Sequence, residues 1–158
     1  MFVSMRRKKQ ELSEDECYEI LERNNSGVLA LFDSNGYPYA VPLSYCYIKE
    51  KIIFHGSKIG HKIDAISYHD KVSFCVIDQD KVVPEKYTTY YRSVIIFGKI
   101  SIIKNEKEMK KYIESLGRKY APNESEAHLQ KIIQSTWNSL AIMELSIEHI
   151  TGKKSKYL

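Results

Sequence analysis

The chain has few of the residues from which recognisable sites are usually assembled. Its 158 residues include three cysteines, four prolines, seven glycines and one tryptophan. Cys17, Cys46 and Cys75 are odd in number, far apart and without C-x-x-C spacing, which argues against a disulfide framework and a zinc site. They read as reduced, half-buried packing residues. The five histidines show no H-E-x-x-H or comparable spacing, so no metal is expected. There is no G-x-S-x-G elbow and no Ser/His/Asp set above chance, and hydrolase chemistry has little support. No window approaches the ~18 apolar residues of a membrane-spanning helix. The net charge of +4 is scattered, with no block of five or more like charges, so a nucleic-acid surface is not expected. The amino end, MFVSMRRKKQ, is basic but lacks the apolar core of a secretory signal. These absences lead to the expectation of a cytoplasmic protein with one domain over 1–158, residues 1–10 forming a flexible arm.

What is present is ordinary globular composition, 43% hydrophobic and 28% charged, with a clear alternation of periods. Ser13 followed by Glu16 forms a capping box, with Leu12 and Cys17 as a staple, and predicts a helix to about Asn24. GVLALFD (27–33) reads as a buried strand, Ser34-Asn35-Gly36 as a hairpin turn, and Tyr37–Ile48 as the partner strand, with Tyr39, Val41, Leu43, Tyr45 and Tyr47 on one face. Lys49-Glu50 turns the chain into KIIFHG, a short helix follows over HKIDAISYH, and KVSFCVI resumes the strand pattern. Tyr90–Ile103 is a long strand with a bulge or bend expected at Gly98. Asn105 opens a helix to about Tyr120, Ser125 opens another to near Ser135, and Leu140–Ile150 closes the chain as a strand. Six strands joined mostly by short turns lack the regular alternation of a parallel sheet. The expected fold is mainly β, an antiparallel six-stranded barrel with flanking helices.

The stretch FHGSKIGHK, residues 54–62, looks most like a built site. A strand ending in Gly56-Ser57, then Gly60 opening a helix, leaves backbone N–H groups unpaired where the helix dipole is positive. Ser57 adds a hydroxyl and Lys62 a charge, with Lys58 and His61 as reinforcement, so a phosphate monoester is the natural guest. The spacing is neither a Walker A loop nor a dinucleotide fingerprint. The alternative is that the glycines only turn the chain and the lysines face solvent. A second clue is AVPLSY (40–45). Pro42 belongs on an edge strand, where the backbone of Leu43 and Ser44 could bond a flat ring; an ordinary edge proline is the other reading. His55 and Tyr45 are the available acid or base groups, and Trp137 reads as a packing residue.

Taken in order, GVLALFDSNGYPYAVPLSYCY, IIFHGSKIGHKIDAI, YRSVIIFGKI and LAIMELSIEHITGK resemble the pyridoxamine 5′-phosphate oxidase-like FMN-binding split β-barrels, especially their nitroimidazole-resistance branch. The resemblance implies an FMN phosphate held by His55, Gly56 and Ser57 at the strand end and by Gly60, His61 and Lys62 at the helix start. It implies a flavin ring along Val41, Pro42, Leu43 and Ser44, with further contacts from Arg92 and Ser93. It also implies a homodimer with two interfacial flavin sites. Gly60-His61-Lys62 stands where pyridoxamine phosphate oxidases commonly carry Ser-Arg-Lys, and the chain ends without their arginine-rich segment. The implied activity is therefore FMN-dependent transfer of electrons from a reduced nicotinamide to a small acceptor such as a nitroaromatic. A non-enzymatic flavin-binding or sensing protein and a haem-binding relative are the alternatives.

Overall fold

Capping chemistry starts the first helix where the sequence predicts it. The Ser13 hydroxyl accepts the Glu16 N–H at 3.2 Å and the Glu16 carboxylate accepts the Ser13 N–H at 2.8 Å, opening α1 (Glu14–Arg23). In the computed structural model, which describes residues 1–158, the chain then runs through β1 (Ser26–Phe32), β2 (Pro38–Ser44), β3 (Cys46–Ile48) and β4 (Lys51–Ser57). Helix α2 (His61–Tyr68) leads to β5 (Lys71–Val83), β6 (Thr88–Ile103), α3 (Glu106–Tyr120), α4 (Glu126–Thr136) and β7 (Leu140–Lys154). The β1–β2 turn is set by Asn35, whose side chain accepts the Tyr37 N–H at 2.8 Å. Lys49 and Glu50 join β3 to β4 with φ of 46° and 63°, the geometry of a type I′ turn.

All strands form one antiparallel sheet in the order β2-β1-β5-β6-β7-β4-β3. Its two edge strands, β2 and β3, are separated by Tyr45 alone. A sheet whose opposite edges are tethered by one residue has to curl, and its inner face becomes the core. Phe74 is central, packed edge-on against Tyr45 and Phe54 with ring centroids 5.2 and 5.0 Å away. The α1 residues Cys17, Ile20 and Leu21 plug the same interior. A second cluster, Met109, Tyr112 and Leu116 of α3 on Ile53 and Ile142, holds α3 against the outside of the sheet. Its buried carboxylate, Glu144, is satisfied by the Tyr112 hydroxyl at 2.6 Å and the Lys51 ammonium at 2.9 Å.

Seven strands stand where six are expected, because Tyr37–Ile48 is not one strand. Tyr45 ends the β2 ladder: its N–H still reaches the Asn25 carbonyl at 3.1 Å, but the Tyr120 hydroxyl approaches the same N–H at 2.9 Å and also donates to the Tyr45 carbonyl at 2.9 Å. Its carbonyl accepts from Lys119 Nζ at 3.0 Å. The apolar alternation runs through the break, since Tyr45 and Tyr47 still face inward, so the pattern gives no warning. Three strands also outrun their expected ends. β5 and β6 continue past the core as a long hairpin to Val83 and Thr88, and β7 pairs with β6 as far as Lys154. The expected irregularity at Gly98 is present as a register shift between Phe97 and Gly98.

Candidate functional site

Two unpaired strand edges face one another where the curled sheet fails to close. β3 pairs with β4 only over Lys51–Ile53, so β4 from Phe54 to Ser57 has a free edge, opposite the free edge of β2. A cavity of about 590 Å³ opens here, lined on the sheet side by Ser44, His55, Gly56 and Ser57. Leu116, Tyr120 and Leu129 of α3 and α4 form the opposite wall. This is the volume range of small-molecule sites.

The β2 edge can be read residue by residue. Asp33 N–H bonds the Tyr37 carbonyl at 3.2 Å and Tyr45 N–H bonds the Asn25 carbonyl at 3.1 Å. With the register Leu29↔Val41 and Gly27↔Leu43, odd-numbered residues of β2 therefore turn their backbone groups to β1 and even-numbered ones turn theirs outward. Pro38 and Pro42, which have no N–H, occupy outward positions and cost no ladder bond. Ser44, at an even-numbered position that lines the cleft, turns its amide outward. Leu43 does not: its backbone is turned to Gly27, and its side chain, like that of Val41, packs on the core.

The expected phosphate residues gather at the other lip. Gly60 caps α2 with φ 134°, a backbone region open to glycine. Its carbonyl accepts from Ile63 and Asp64, which leaves the N–H groups of His61 and Lys62 without intrahelical partners. Ser57 Oγ accepts the Ile59 N–H at 3.3 Å, so its own hydrogen remains available. Lys62 reaches back over the strand: a Cβ at Gly56 would lie 2.9 Å from its Cε and 3.2 Å from its Nζ. The lysine therefore fills the space that Gly56 leaves. It takes part in none of the chain's ion pairs. His55 is beside it, its pKa lowered by burial and by the Lys62 charge, which keeps the imidazole neutral at pH 7.

His61 is held from behind. Its Nε2 bonds Oδ2 of Asp33, and its ring stacks on Tyr39 with centroids 4.0 Å apart and planes 20° apart. Asp33 is 7% exposed, and the bond from His61 holds its carboxyl below the usual carboxylate range, helped by the Ser34 backbone. Neither Asp33 nor Tyr39 is singled out by the sequence, where Asp33 reads as the last residue of a strand and Tyr39 as one of the apolar face of the next. The α3–α4 wall was equally silent, its apolar positions being those of any amphipathic helix.

Arg92 and Ser93 are elsewhere in the same chain. Arg92 pairs with Gln79 and Lys154, whereas the cleft end of β6, Ile103, pairs with Ile142, the partner of His55. Eleven residues of strand, about 36 Å along the chain, separate them. Arg92 Nη1 is instead 3.5 Å from Asp78 Oδ2, and its Nε is buried without a partner. Tyr45 is fully buried with its hydroxyl donated to the Leu21 carbonyl at 2.7 Å, so it has no reach into the cleft. Trp137 packs beside Met109 and Leu140, as a structural residue would.

The sequence profile of pyridoxamine 5′-phosphate oxidase matches residues 13–154, and the chain belongs to that family. No curated protein matches it in sequence. Among solved structures, a candidate 5-nitroimidazole antibiotic resistance protein from Bacteroides thetaiotaomicron superposes with a TM-score of 0.76 at 18% identity, covering 91% of this chain and 86% of that one. An FAD-binding protein from Mesorhizobium loti gives 0.63 at 22% identity, covering 93% and 98%. The haem storage protein HutZ from Vibrio cholerae gives 0.66 at 15% identity, covering 89% and 94%. At these identities the likeness is one of fold. No helix is long and apolar enough to cross a membrane.

Proposed function

We propose that the protein is an FMN-binding oxidoreductase of the cytoplasm. The observation that carries this reading is Lys62, an ammonium without a carboxylate partner, lying across Gly56 at the amino end of α2 and at the lip of a cleft of suitable size. A phosphate there would receive the Lys62 charge, the free amides of His61 and Lys62 and the Ser57 hydroxyl. The Ser44 amide on the β2 edge is placed to bond the rim of a flat ring, with Pro42 offering an apolar surface beside it. Neutral His55 adds no charge that would compete with the ring. When bound, FMN supplies the redox chemistry, accepting hydride from a reduced nicotinamide and passing electrons to a small acceptor such as a nitroaromatic. The chain's part is to anchor, orient and exclude water.

A homodimer belongs to this proposal. Val28, Ile77, Ile95 and Phe97 are exposed on the outer face of β1, β5 and β6, with Val28, Cys75 and Ile95 in one register row. A second copy on that face would cover apolar surface that a monomer leaves wet. It would also offer a route for Ser93, remote within one chain, to reach the flavin of the other, with Arg92 kept on Asp78.

The purified protein should be yellow and release a chromophore of FMN mass, sediment as a dimer, and turn over reduced nicotinamide with a nitroaromatic. A Soret band without flavin absorption would move the assignment to a haem protein. Bound flavin without turnover across a broad donor and acceptor panel would make it a flavin-binding or sensing protein.

A further inference from the structure

The pairing of Asp33 with His61 serves no purpose evident in the fold's interior. Asp33 follows the last residue of β1, His61 is at the first position of α2 next to Lys62, and the imidazole is half exposed. An ionised carboxylate only accepts hydrogen bonds, so the ring nitrogen facing it, Nε2, carries hydrogen. Nδ1, the nitrogen nearer the backbone, has no partner among the chain's hydrogen bonds, and it belongs to the residue whose own amide opens the helix. In a neutral ring so oriented, Nδ1 presents a lone pair and repels an anion. In a charged ring it presents N–H and binds one. The Tyr39 stack fixes the ring plane, which hinders a turn that would exchange the two nitrogens.

We infer that Asp33 makes His61 a proton-coupled clamp for a phosphate monoester dianion, so that capture of the ligand loads a proton onto the ring. This rests on the phosphate site proposed above and names a regulation of it. The proton balance is simple: one proton passes from solvent to Nδ1 as the phosphate binds, and the Nδ1–H then donates to a phosphate oxygen. The titratable groups against the ring are Asp33, which bonds it from the residue after β1, and Tyr39 of β2, which stacks on it; Lys62 and Asp64 share its helix and Lys58 is in the preceding turn. Only Asp33 bonds the ring. The second ionisation of a phosphate monoester lies near pH 6, so from pH 6.5 upward the ligand's own charge is nearly constant and the ring's proton dominates the response.

The test is FMN affinity from pH 6.5 to 8.5, read by quenching of flavin fluorescence, with riboflavin as the ligand that lacks phosphate. Wild-type affinity for FMN should fall with rising pH, at most about tenfold per pH unit for one coupled proton. His61→Gln should flatten that slope, and riboflavin should show none in either protein. Asp33→Asn should match wild type at pH 6.5 and bind FMN about tenfold more weakly at pH 7.5. A profile for D33N that superimposes on wild type, or a slope retained by H61Q, overturns the inference. Calorimetry of wild type in buffers of different ionisation heat gives a reading that does not depend on folded variants: proton uptake at pH 8 supports the clamp and zero uptake overturns it. If wild type binds neither flavin, the cofactor reading fails on its own. NMR of the His61 ring during titration with inorganic phosphate then decides the clamp, protonation supporting it and an unchanged ring overturning it.

Discussion

Two cations that the sequence offers for the same ligand end in opposite circumstances. Arg92 is next to Asp78, a side chain 9% exposed that takes a two-pronged bond from Arg23, both contacts 2.7 Å, and a third from Asn24 at 2.8 Å. Asp78 is the extra residue of a β-bulge between Ile77 and Gln79, and the bulge turns it toward the end of α1. Lys62 has no such counter-charge. A cation with its charge met inside the chain holds elements together, whereas one left unmet over a cleft is available to a ligand. The same residue chemistry thus serves structure at one end of the barrel and, on the reading proposed here, binding at the other.

Charge reversal at the cleft should give the largest effect. Lys62→Glu removes a charge-assisted bond and sets a carboxylate against the phosphate, for a loss of about 4 kcal/mol or about 1,000-fold in FMN affinity. Melting temperature should be unchanged, because Lys62 has no ion pair to lose; unaltered affinity in a flavin titration would remove the basis for the cofactor assignment.

At the other end the signature reverses, with stability falling instead of affinity. Asp78→Asn leaves Arg23 and Arg92 without their counter-ion and should cost about 3 kcal/mol in urea unfolding at pH 7. The bonds from Arg23, then Asn24, depress the Asp78 pKa in the folded state. Its contribution is therefore complete above the unfolded carboxylate value near 3.9 and is lost as pH falls through the lower folded value. Wild type and variant should converge once the pH is below the folded value, where both lack the charge. A constant gap down to pH 2 would show that packing, not charge, accounts for the loss.

The smallest effect is the sharpest test of position. Gly56→Ala puts a methyl group 2.9 Å from Lys62 Cε, and the flexible end of the lysine moves aside at a stability cost within about 0.5 kcal/mol. FMN affinity should fall about tenfold, equivalent to about 1.4 kcal/mol. Equal affinity would mean that the ammonium does not need to lie over the strand.

Much of this contrast was legible in the residues. Ser13 with Glu16, Asn105 and Ser125 mark helix starts because caps are local chemistry within three residues. Asn35 and Gly36 mark a hairpin for the same reason, and Pro42 marks an edge because proline has no donor. Gly56, Ser57, Gly60 and Lys62 are near one another in sequence, so their meeting at one lip needs only a strand, a turn and a helix. The break at Tyr45 was not legible, since its cause is Lys119 and Tyr120, some 75 residues on. Nor was Asp33, which meets His61 across 28 positions.

The sequence alone determined the periods, the caps, the turns and the glycine-framed lip, all of which follow from interactions between residues a few positions apart. The tertiary structure decided that the sheet divides at Tyr45, that helices α3 and α4 wall the cleft, that Asp33 grips His61, and that Arg92 is bound to Asp78 while Lys62 is free. Those outcomes depend on which distant groups the curled sheet brings within hydrogen-bond reach, and burial of one face by another leaves no local mark in the chain.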